Sequence, residues 1–450
     1  MSIGDKQIKL INYAKFFIKR LESSDIDSSL SSFCYFTSWS ETPGFAKLKY
    51  WLKGWPFIFK FCTILLKNIL AIASHAKYIE FRNHSYKDNY DTIVISWCFQ
   101  ENFQSDGSFN DRYFKENSKD LPSSYWVLIS MDEYVPVNLS NNITVIKSER
   151  GVFKYDFFSF LKIFVSMVID CRFSPKKLFH YLYFSSYFAK VTSLTVKKEL
   201  KKNNYKAILL PYEAQPFQNN IFFEIKKSNK KIKTIGYLHS LNPLTSELVY
   251  RSGSPDLLLV HGPSQIDILK SKLNWPENKL HLTQSFRFRL DEKKRLSNKI
   301  FLPHSILKGN VLISEFRKFL INSPISSLPN FVIQNHPTAK DSKKHLYFIK
   351  ELEKIIRTYK DRFSSNSLTK EISIFFGVID VLETLEKGIN VIHICSDPIF
   401  ESYSEKIWEN LKVKQLSKFV FQYNLTSLGK YIIFGVKKKM LYETLKNLYH

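Results

Sequence analysis

Glycine is scarce in this chain, at 13 of 450 residues. Neither a G-x-G-x-x-G nor a P-loop pattern occurs, which excludes ordinary dinucleotide-binding dehydrogenases and P-loop kinases, because both hold phosphate groups on glycine-rich turns. The five cysteines lie far apart, and no two of them have the spacing of metal ligands. We therefore expect a reducing compartment, no disulfide framework and no structural zinc.

Long apolar runs are absent as well, since no segment reaches the ~20 apolar residues that span a bilayer. The opening residues MSIGDKQIKL contain no apolar signal core, so we expect a cytoplasmic protein. Two segments approach a membrane span, namely residues 55–76, with Lys60 and Lys67, and residues 153–169. Each fits either a helix buried under a large core or a helix lying peripherally on the anionic inner face of the cytoplasmic membrane.

Aromatic residues and positive charge are abundant instead. The chain has 39 Phe, 24 Tyr and 7 Trp, and side chains of this kind need a core, which excludes a disordered chain. Lys and Arg total 66 and Asp and Glu total 41, so the net charge is 66 − 41 = +25. This excess indicates contact with a polyanion, either a membrane surface, a nucleic acid or a phosphorylated substrate. The basic runs, such as residues 226–233, lie on connecting segments without interleaved aromatics, so we expect no nucleic-acid partner.

Short apolar runs alternate with amphipathic stretches from about residue 90 onward, which predicts parallel α/β sheets. A basic stretch near residues 285–299 separates two such series. We therefore predict an α/β fold with two Rossmann-like domains, residues 91–285 and 286–450, that face each other across a cleft, preceded by a helical N-terminal extension of residues 1–90. The predicted strands are Thr92–Cys98, Trp126–Ser130, Ile143–Ile146, Ala207–Leu210, Thr234–Leu238 and Leu257–Val260 in the first series, and Asn310–Ile313, Phe331–Gln334, Ile372–Phe376, Asn390–Ile394 and Phe419–Phe421 in the second.

Polar residues that follow predicted strands are the candidate functional groups, because ligands bind at the carboxyl ends of parallel strands. Asp106, in the turn 105–108, is a candidate general base for an acceptor hydroxyl, or else it caps its own turn. Glu213 and Gln215 follow a second strand in a cluster of side chains that suits a sugar or another polyol, and His239 follows a third strand. The alternatives are an acid stabilised by a helix dipole and a histidine buried in the core.

The second series holds two candidate motifs. His336-Pro337 follows a predicted strand, and Pro337 restricts His336 to an extended backbone that presents the ring to the cleft. The alternative is a histidine on a surface loop. Gly377 and Val378 form a turn before a short amphipathic helix, whose start offers backbone N–H groups to an anion. Glu383 within that helix either reaches a ribose hydroxyl or is an ordinary solvated residue.

Together these motifs resemble the GT-B-fold glycosyltransferases, in particular the bacterial CMP-sugar-using group (sialyltransferase-like and Kdo-transferase-like) of capsule and lipopolysaccharide biosynthesis. Asp106-Gly107 is similar to the acidic motif of that group, His336-Pro337 to its His-Pro motif, and residues 382–392 to a helix and strand of GT-B donor domains. The resemblance covers about residues 90–425. It implies that residues 91–285 bind the acceptor, and that residues 286–450 bind the nucleotide-sugar donor. The implied enzyme transfers a sugar to a growing surface glycan, without a metal or another cofactor.

The resemblance also implies a role for each candidate residue. Asp106 is the catalytic base, and His336 stabilises the leaving nucleotide. The donor is bound by His336, Pro337, Gly377, Val378 and Glu383, and the acceptor by Glu213, Gln215 and His239. Ser105 stands where the family has its first acid, and Gly377-Val378 where CMP-sugar users carry paired hydroxyls. The second departure leaves open UDP-sugar and polyol-phosphate transferases of the same fold, and the basic composition leaves open a nucleic-acid-binding protein.

Overall fold

The structure is a computed structural model of the chain. It describes residues 1–33, 58–74, 78–82, 90–121, 123–130, 138–148, 180–201, 204–228, 231–240, 242–289, 296–336, 342–364, 371–377, 380–436 and 440–449, together with the single positions 42, 44, 45, 48, 161, 165, 168, 169, 174, 177 and 339. These residues form two β-sheets with helices packed against them. One apolar cluster lies mainly on each sheet, and a third, larger cluster joins the two.

In the described residues the first sheet is built from β1 (Tyr78–Arg82), β2 (Thr92–Cys98), β3 (Ser124–Ser130), β4 (Ile143–Ser148), β5 (Ala207–Pro211), β6 (Lys233–Tyr237), β7 (Leu257–Val260) and β8 (Leu280–Leu282). Their order is β1-β4-β3-β2-β5-β6-β7-β8, and only β1 runs antiparallel to its neighbour. The order reverses between β2 and β5, and such a switch point is where open α/β sheets bind ligands. Strands β2, β3 and β5 are nearly continuous buried runs, as expected when both faces of a sheet are covered.

The second sheet contains β9 (Lys299–Phe301), β10 (Val332–Gln334), β11 (Ile372–Phe376), β12 (Asn390–Ile394), β13 (Leu411–Gln415) and β14 (Val420–Leu425). Their order is β10-β9-β11-β12-β14-β13. Strands β9 to β12 are parallel, whereas β14 runs antiparallel to both β12 and β13. The switch point of this sheet lies between β9 and β11. We call the first sheet with its helices the first lobe, and the second sheet with its helices the second lobe.

The α-helices of the described chain are α1 (Ile3–Ser23), α2 (Ile58–Ser74), α3 (Phe184–Leu200), α4 (Pro216–Ser228), α5 (Pro263–Leu273), α6 (Gly309–Asn322), α7 (Lys343–Thr358), α8 (Leu382–Glu386), α9 (Pro398–Glu401) and α10 (Met440–Tyr449). Helix α1 begins with a capping box and connects the two lobes. The fully buried Gln7 donates through Nε2 to the carbonyls of Ile399 (3.0 Å) and Ser402 (2.7 Å) in the second lobe. Near its other end, the Glu22 carboxylate accepts the N–H of Ser252 in the first lobe at 2.9 Å.

The end of the chain returns to the first lobe. The N–H of Ile433 donates to the carbonyl of His261 at 2.6 Å, and the N–H of Ser285 donates to the carbonyl of Ile433 at 2.7 Å. Leu441 and Leu445 of α10 join the apolar cluster of the first sheet. Part of the segment that the sequence assigned to the second domain therefore packs against the first sheet, because the apolar face of α10 is buried there.

The predicted fold class is confirmed: the protein is α/β, with two mostly parallel sheets, each packed against helices. Two predicted elements are wrong. Residues 310–313 lie in α6, where Leu312, Phe316 and Leu320 are buried at helical spacing, and a four-residue apolar run cannot distinguish a strand from such a helix. Residues 78–82, predicted within a helical extension, form β1 and pair with β4. No helix of the described residues is long and apolar enough to cross a membrane.

Candidate active site between the two sheets

The carboxyl ends of β5 and β6 carry a connected set of polar side chains. Glu213 follows β5 on a loop that Gln218 holds in place. The Oε1 atom of Gln218 accepts the N–H groups of Glu213 (2.9 Å) and Gln215 (3.0 Å), and its Nε2 donates to the carbonyl of Pro211 (2.7 Å). Gln218 belongs to the first turn of α4, so the start of this helix fixes the position of the loop.

Both oxygens of the Glu213 carboxylate are engaged. Oε1 accepts the hydroxyl of Ser240 at 2.6 Å and lies 3.5 Å from Nε2 of His239, and Oε2 accepts Nε2 of Gln215 at 2.9 Å. Burial raises the pKa of the Glu213 carboxyl, but His239, Ser240, Gln215 and Arg287 outweigh burial and hold this pKa below its ordinary value. Glu213 is therefore an anion at neutral pH, and its side chain remains 24% exposed.

His239 is buried and neutral. Nη1 of Arg287 lies 3.3 Å from Nδ1 of His239. Because a guanidinium group only donates hydrogen bonds, Nδ1 is the acceptor and the ring proton lies on Nε2, towards Glu213. Burial lowers the pKa of His239 to about 4, an effect that Glu213 opposes and Arg287 reinforces. The ring of Tyr113 packs on this imidazole with the centroids 4.5 Å apart.

Asp111 organises the loop that follows β2. Its carboxylate accepts the hydroxyl of Ser96 in β2 and the N–H groups of Tyr113 (2.7 Å) and Phe114 (2.6 Å). Burial raises the pKa of Asp111 to about 6, although these hydrogen bonds favour the charged form. The bonds fix the backbone that carries Tyr113, which explains how this ring is held against His239.

The same loop carries Arg112, whose guanidinium carbon lies 4.4 Å from the ring centroid of Phe99 and which pairs with Glu101. Both Arg112 and Arg287 are near enough to the second lobe to act on His336. Burial lowers the pKa of His336 to about 4, and neighbouring histidines and these two arginines act in the same direction. Positive charge from the first lobe therefore lies within electrostatic range of an imidazole of the second lobe.

His336 follows β10, as predicted, and Asn335 Oδ1 accepts its backbone N–H at 2.9 Å. Its ring lies 5.3 Å, centroid to centroid, from that of His304, which follows β9. The two histidines thus stand together next to the switch point of the second sheet. Pro337, its predicted partner in donor binding, lies outside the described residues.

The glycine turn after β11 has the expected conformation, but two of its N–H groups form hydrogen bonds within the protein. Gly377 has φ +61°, which side chains rarely allow, and its N–H donates to the carbonyl of Ile394 at 2.9 Å. The start of α8 is capped by Asp380, whose Oδ1 accepts the N–H of Leu382 at 2.9 Å. These two N–H groups are therefore not open to an anion, and donor binding by the rest of this turn stays a prediction. Val378 lies outside the described residues.

Glu383, predicted to reach a ribose hydroxyl, pairs with Lys387 one turn later in the chain. The two charged atoms lie 3.0 Å apart, and the Lys387 side chain is fully buried. A buried ammonium group needs a counter-charge, so this ion pair gives Glu383 a structural role. Contact with a ribose stays a prediction.

Asp106 lies on an exposed turn near the opposite edge of the first sheet. Its carboxylate accepts the N–H of Ser108 at 2.9 Å and pairs with Lys119 at 2.5 Å. The carbonyl of Gly107 accepts the N–H of Ser140 at 3.0 Å, and Ser140 lies three residues before the amino end of β4. The expected position at the carboxyl edge is therefore wrong, because the chain after β2 crosses the sheet towards the start of β3.

The contacts of Asp106 also make it a weaker base. The hydrogen bond from Lys119 has the largest effect and lowers the pKa of the Asp106 carboxyl, so this group binds a proton less readily.

The structure thus brings Glu213, Gln215 and His239 together, with Arg287 beside His239, whereas Asp106 lies apart. No pattern in the sequence indicated that Arg287 belongs to this group. Arg287 comes five residues after the end of β8, a strand of three residues that the apolar pattern did not predict, so it was counted among the basic residues of a linker. No group of three or more His, Cys, Asp or Glu side chains in the described residues could hold a metal ion.

No protein-family model matches the chain, and no curated protein matches it. Three solved structures are similar to it at low identity. An alpha,alpha-trehalose 6-phosphate synthase from Burkholderia multivorans is 13% identical, with a TM-score of 0.35 over 62% of this chain and 71% of that chain. A glycosyltransferase from Rickettsia africae is 11% identical, with a TM-score of 0.31 over 68% and 79% of the two chains. The N-terminal domain of the Candida albicans trehalose-6-phosphate phosphatase is 11% identical, with a TM-score of 0.33 over 68% and 82%.

Proposed function

We propose that this protein is a glycosyltransferase that uses a nucleotide sugar. The observation that carries the proposal is the group of charged side chains at the carboxyl ends of β5 and β6, where Arg287 contacts His239 beside the ionised Glu213. The charges of Arg287 and Arg112 also act on His336 in the second lobe. Guanidinium groups suit the phosphates of a nucleotide sugar, and an ionised carboxylate suits an acceptor hydroxyl. Both sets of groups lie near the switch points, where open α/β sheets bind their ligands.

In the proposed reaction the acceptor hydroxyl oxygen forms a bond with the anomeric carbon of the donor, and its proton passes to the Glu213 carboxylate. The bond from that carbon to the phosphate oxygen breaks, and the electron pair leaves with the nucleotide. Arg112 and Arg287 stabilise the negative charge that develops on the phosphate, and His336 contacts the nucleotide. Glu213 takes the role predicted for Asp106, because Asp106 lies near the other edge of the sheet.

The donor and acceptor follow from the resemblance of motifs rather than from contacts. We favour a CMP-activated nonulosonic or Kdo-type acid as donor and a growing surface glycan or glycolipid as acceptor. UDP-sugar and polyol-phosphate donors are the alternatives. The guanidinium groups supply the positive charge that the departing nucleotide needs, so the proposed reaction is independent of a metal.

Thermal unfolding in the presence of CMP, UDP, GDP or a tRNA mixture tests the proposal. We expect one nucleotide to raise the unfolding midpoint, since a ligand that binds only the folded state stabilises it. The Arg287→Gln variant should bind that nucleotide about 10-fold to 100-fold more weakly, because it loses a charge-assisted hydrogen bond. Arg357, an exposed residue of α7, provides the matched control, and Arg357→Gln should bind like the wild type.

Two outcomes contradict the proposal. If no nucleotide shifts the midpoint and the tRNA mixture does, the protein binds nucleic acid. If Arg287→Gln and Arg357→Gln bind the nucleotide equally well, the nucleotide does not lie between the two carboxyl edges.

A further inference from the structure

Helix α2 buries a polar side chain and exposes apolar ones. Asn68 is buried, at 6% exposure, where its Oδ1 accepts the N–H of Phe184 at 3.0 Å and its Nδ2 donates to the carbonyl of Ile64 at 2.9 Å. Leu66 and Leu70, one helical turn apart, are 59% and 56% exposed. A surface helix in water normally turns its apolar side chains towards the core and its polar side chains towards solvent. The outer face of α2 is therefore suited to an apolar environment.

A second segment also exposes apolar side chains, although Asp156 and Asp170 border it, whereas the charges within residues 55–77 have one sign. Leu161, Val165 and Ile169 follow each other at intervals of four residues, and each is about half exposed. Residues 55–77 contain three lysines and no Asp or Glu, although acids number 41 in the whole chain. Exposed apolar side chains accompanied only by positive charge are typical of helices that lie on anionic lipid.

We propose that α2 docks peripherally on an anionic lipid bilayer. Leu66 and Leu70 enter the boundary between headgroups and acyl chains, and the exposed Lys67 meets the phosphates. Lipid fits this surface better than a second copy of the chain does, because two chains that each carry a net charge of +25 repel one another.

The docking surface lies on the side of the first lobe that leads to the candidate active site. The ring of Phe184, whose backbone Asn68 holds, packs 6.3 Å from the ring of Phe188, which stacks 6.0 Å from Trp97 near the carboxyl end of β2. In so far as the proposed function holds, a lipid-linked acceptor bound at this surface would reach the carboxyl edge of the first sheet from the bilayer.

Co-sedimentation of the full chain with vesicles tests the docking without any nucleotide sugar, so its failure is distinct from failure of the proposed function. The wild type should bind vesicles of phosphatidylglycerol and phosphatidylcholine, and bind pure phosphatidylcholine weakly. The Leu66→Gln/Leu70→Gln variant should bind the anionic vesicles at least about tenfold less, because it loses two apolar contacts. Lys67→Gln should bind about fivefold less, and added salt should weaken the binding of the wild type.

Leu346 and Leu428 in the second lobe, at 46% and 59% exposure, provide the matched control. Their double replacement by Gln should leave vesicle binding unchanged, and all variants should keep the unfolding midpoint of the wild type. The proposal is overturned if the Leu66/Leu70 variant binds anionic vesicles as well as the wild type does, or if the wild type does not bind them. It is also overturned if the wild type self-associates and the Leu66/Leu70 variant is monomeric, since a second copy would then cover α2.

Discussion

The two carboxyl edges that form the candidate active site are held in different ways. At the first edge, Glu213 is held mainly by residues close to it in the sequence, Gln215 and Gln218, and also by Ser240 after the adjacent strand β6. At the second edge, the loop after β12 is held by Gln7, which lies at the far end of the chain. Local sequence thus organises the first edge, whereas the docking of a distant helix organises the second. Loss of the Gln7 side chain should therefore disturb the second edge and leave the Glu213 loop in place.

The largest effect is expected at the first edge, from Glu213→Gln. This variant keeps the shape of the side chain and removes the charge that accepts the proton, so turnover should fall by ~10²–10⁴. The rate at which nucleotide is released from the donor measures turnover, and the unfolding midpoint reports whether the fold is intact. Asp106→Asn is the matched control, since Asp106 is exposed and forms only turn and surface contacts. A comparable loss in Asp106→Asn, with Glu213→Gln fully active, would return the role of base to Asp106.

A smaller effect is expected from Gln7→Ala, which tests how the second edge is held. The carbonyls of Ile399 and Ser402 would lose their donor, and the hydroxyl of Ser404, which donates to Gln7 Oε1 at 2.6 Å, would lose its acceptor. We expect the free energy of unfolding to fall by about 2–3 kcal/mol. Amide hydrogen exchange should become faster in residues 396–404 and stay unchanged in residues 211–218.

Phe16→Ala is the control for this helix, because Phe16 is a large exposed residue of α1. It should change neither the stability nor the exchange rates. Equal effects of Gln7→Ala and Phe16→Ala, or faster exchange at both edges, would show that α1 does not hold the second edge selectively.

The smallest expected effect is a loss of stability at acid pH, caused by one buried histidine in each lobe. Burial lowers the pKa of His239 in the first lobe and of His393 in the second to about 4, against about 6.5 in the unfolded chain. The unfolded chain therefore binds more protons between these values, and the free energy of unfolding falls as the pH falls through this window. From pH 6.5 to 5.5 each imidazole should cost about 1 kcal/mol.

Urea unfolding of the wild type, His239→Gln and His393→Gln at the two pH values measures this contribution. Buried carboxyls such as Asp111, whose pKa burial raises to about 6, act with the opposite sign, and the difference between wild type and variant cancels them. A variant that keeps the full pH dependence of the wild type would show that its imidazole is not held neutral in the folded protein.

Reasoning from the sequence located the first edge well and the second only in part. Glu213 and His239 directly follow apolar strands, and the carboxyl ends of parallel strands share an edge, so their meeting was predictable. The position predicted for Asp106 was wrong because the long connection after β2 crosses the sheet, and the local sequence does not indicate the path of such a connection. Gly377 was predicted correctly as a turn, but the partner of its N–H was not predictable, since Ile394 belongs to the neighbouring strand.

The amino-acid sequence by itself determined the α/β class and most strands of the first sheet, because apolar periodicity and strand length are properties of neighbouring residues. Only the tertiary structure decided that Arg287 meets His239, that Gln7 holds a loop almost 400 positions away, and that the leucines of α2 face outward. Such contacts depend on how separate elements pack, and packing is set by the whole set of buried surfaces rather than by any one segment.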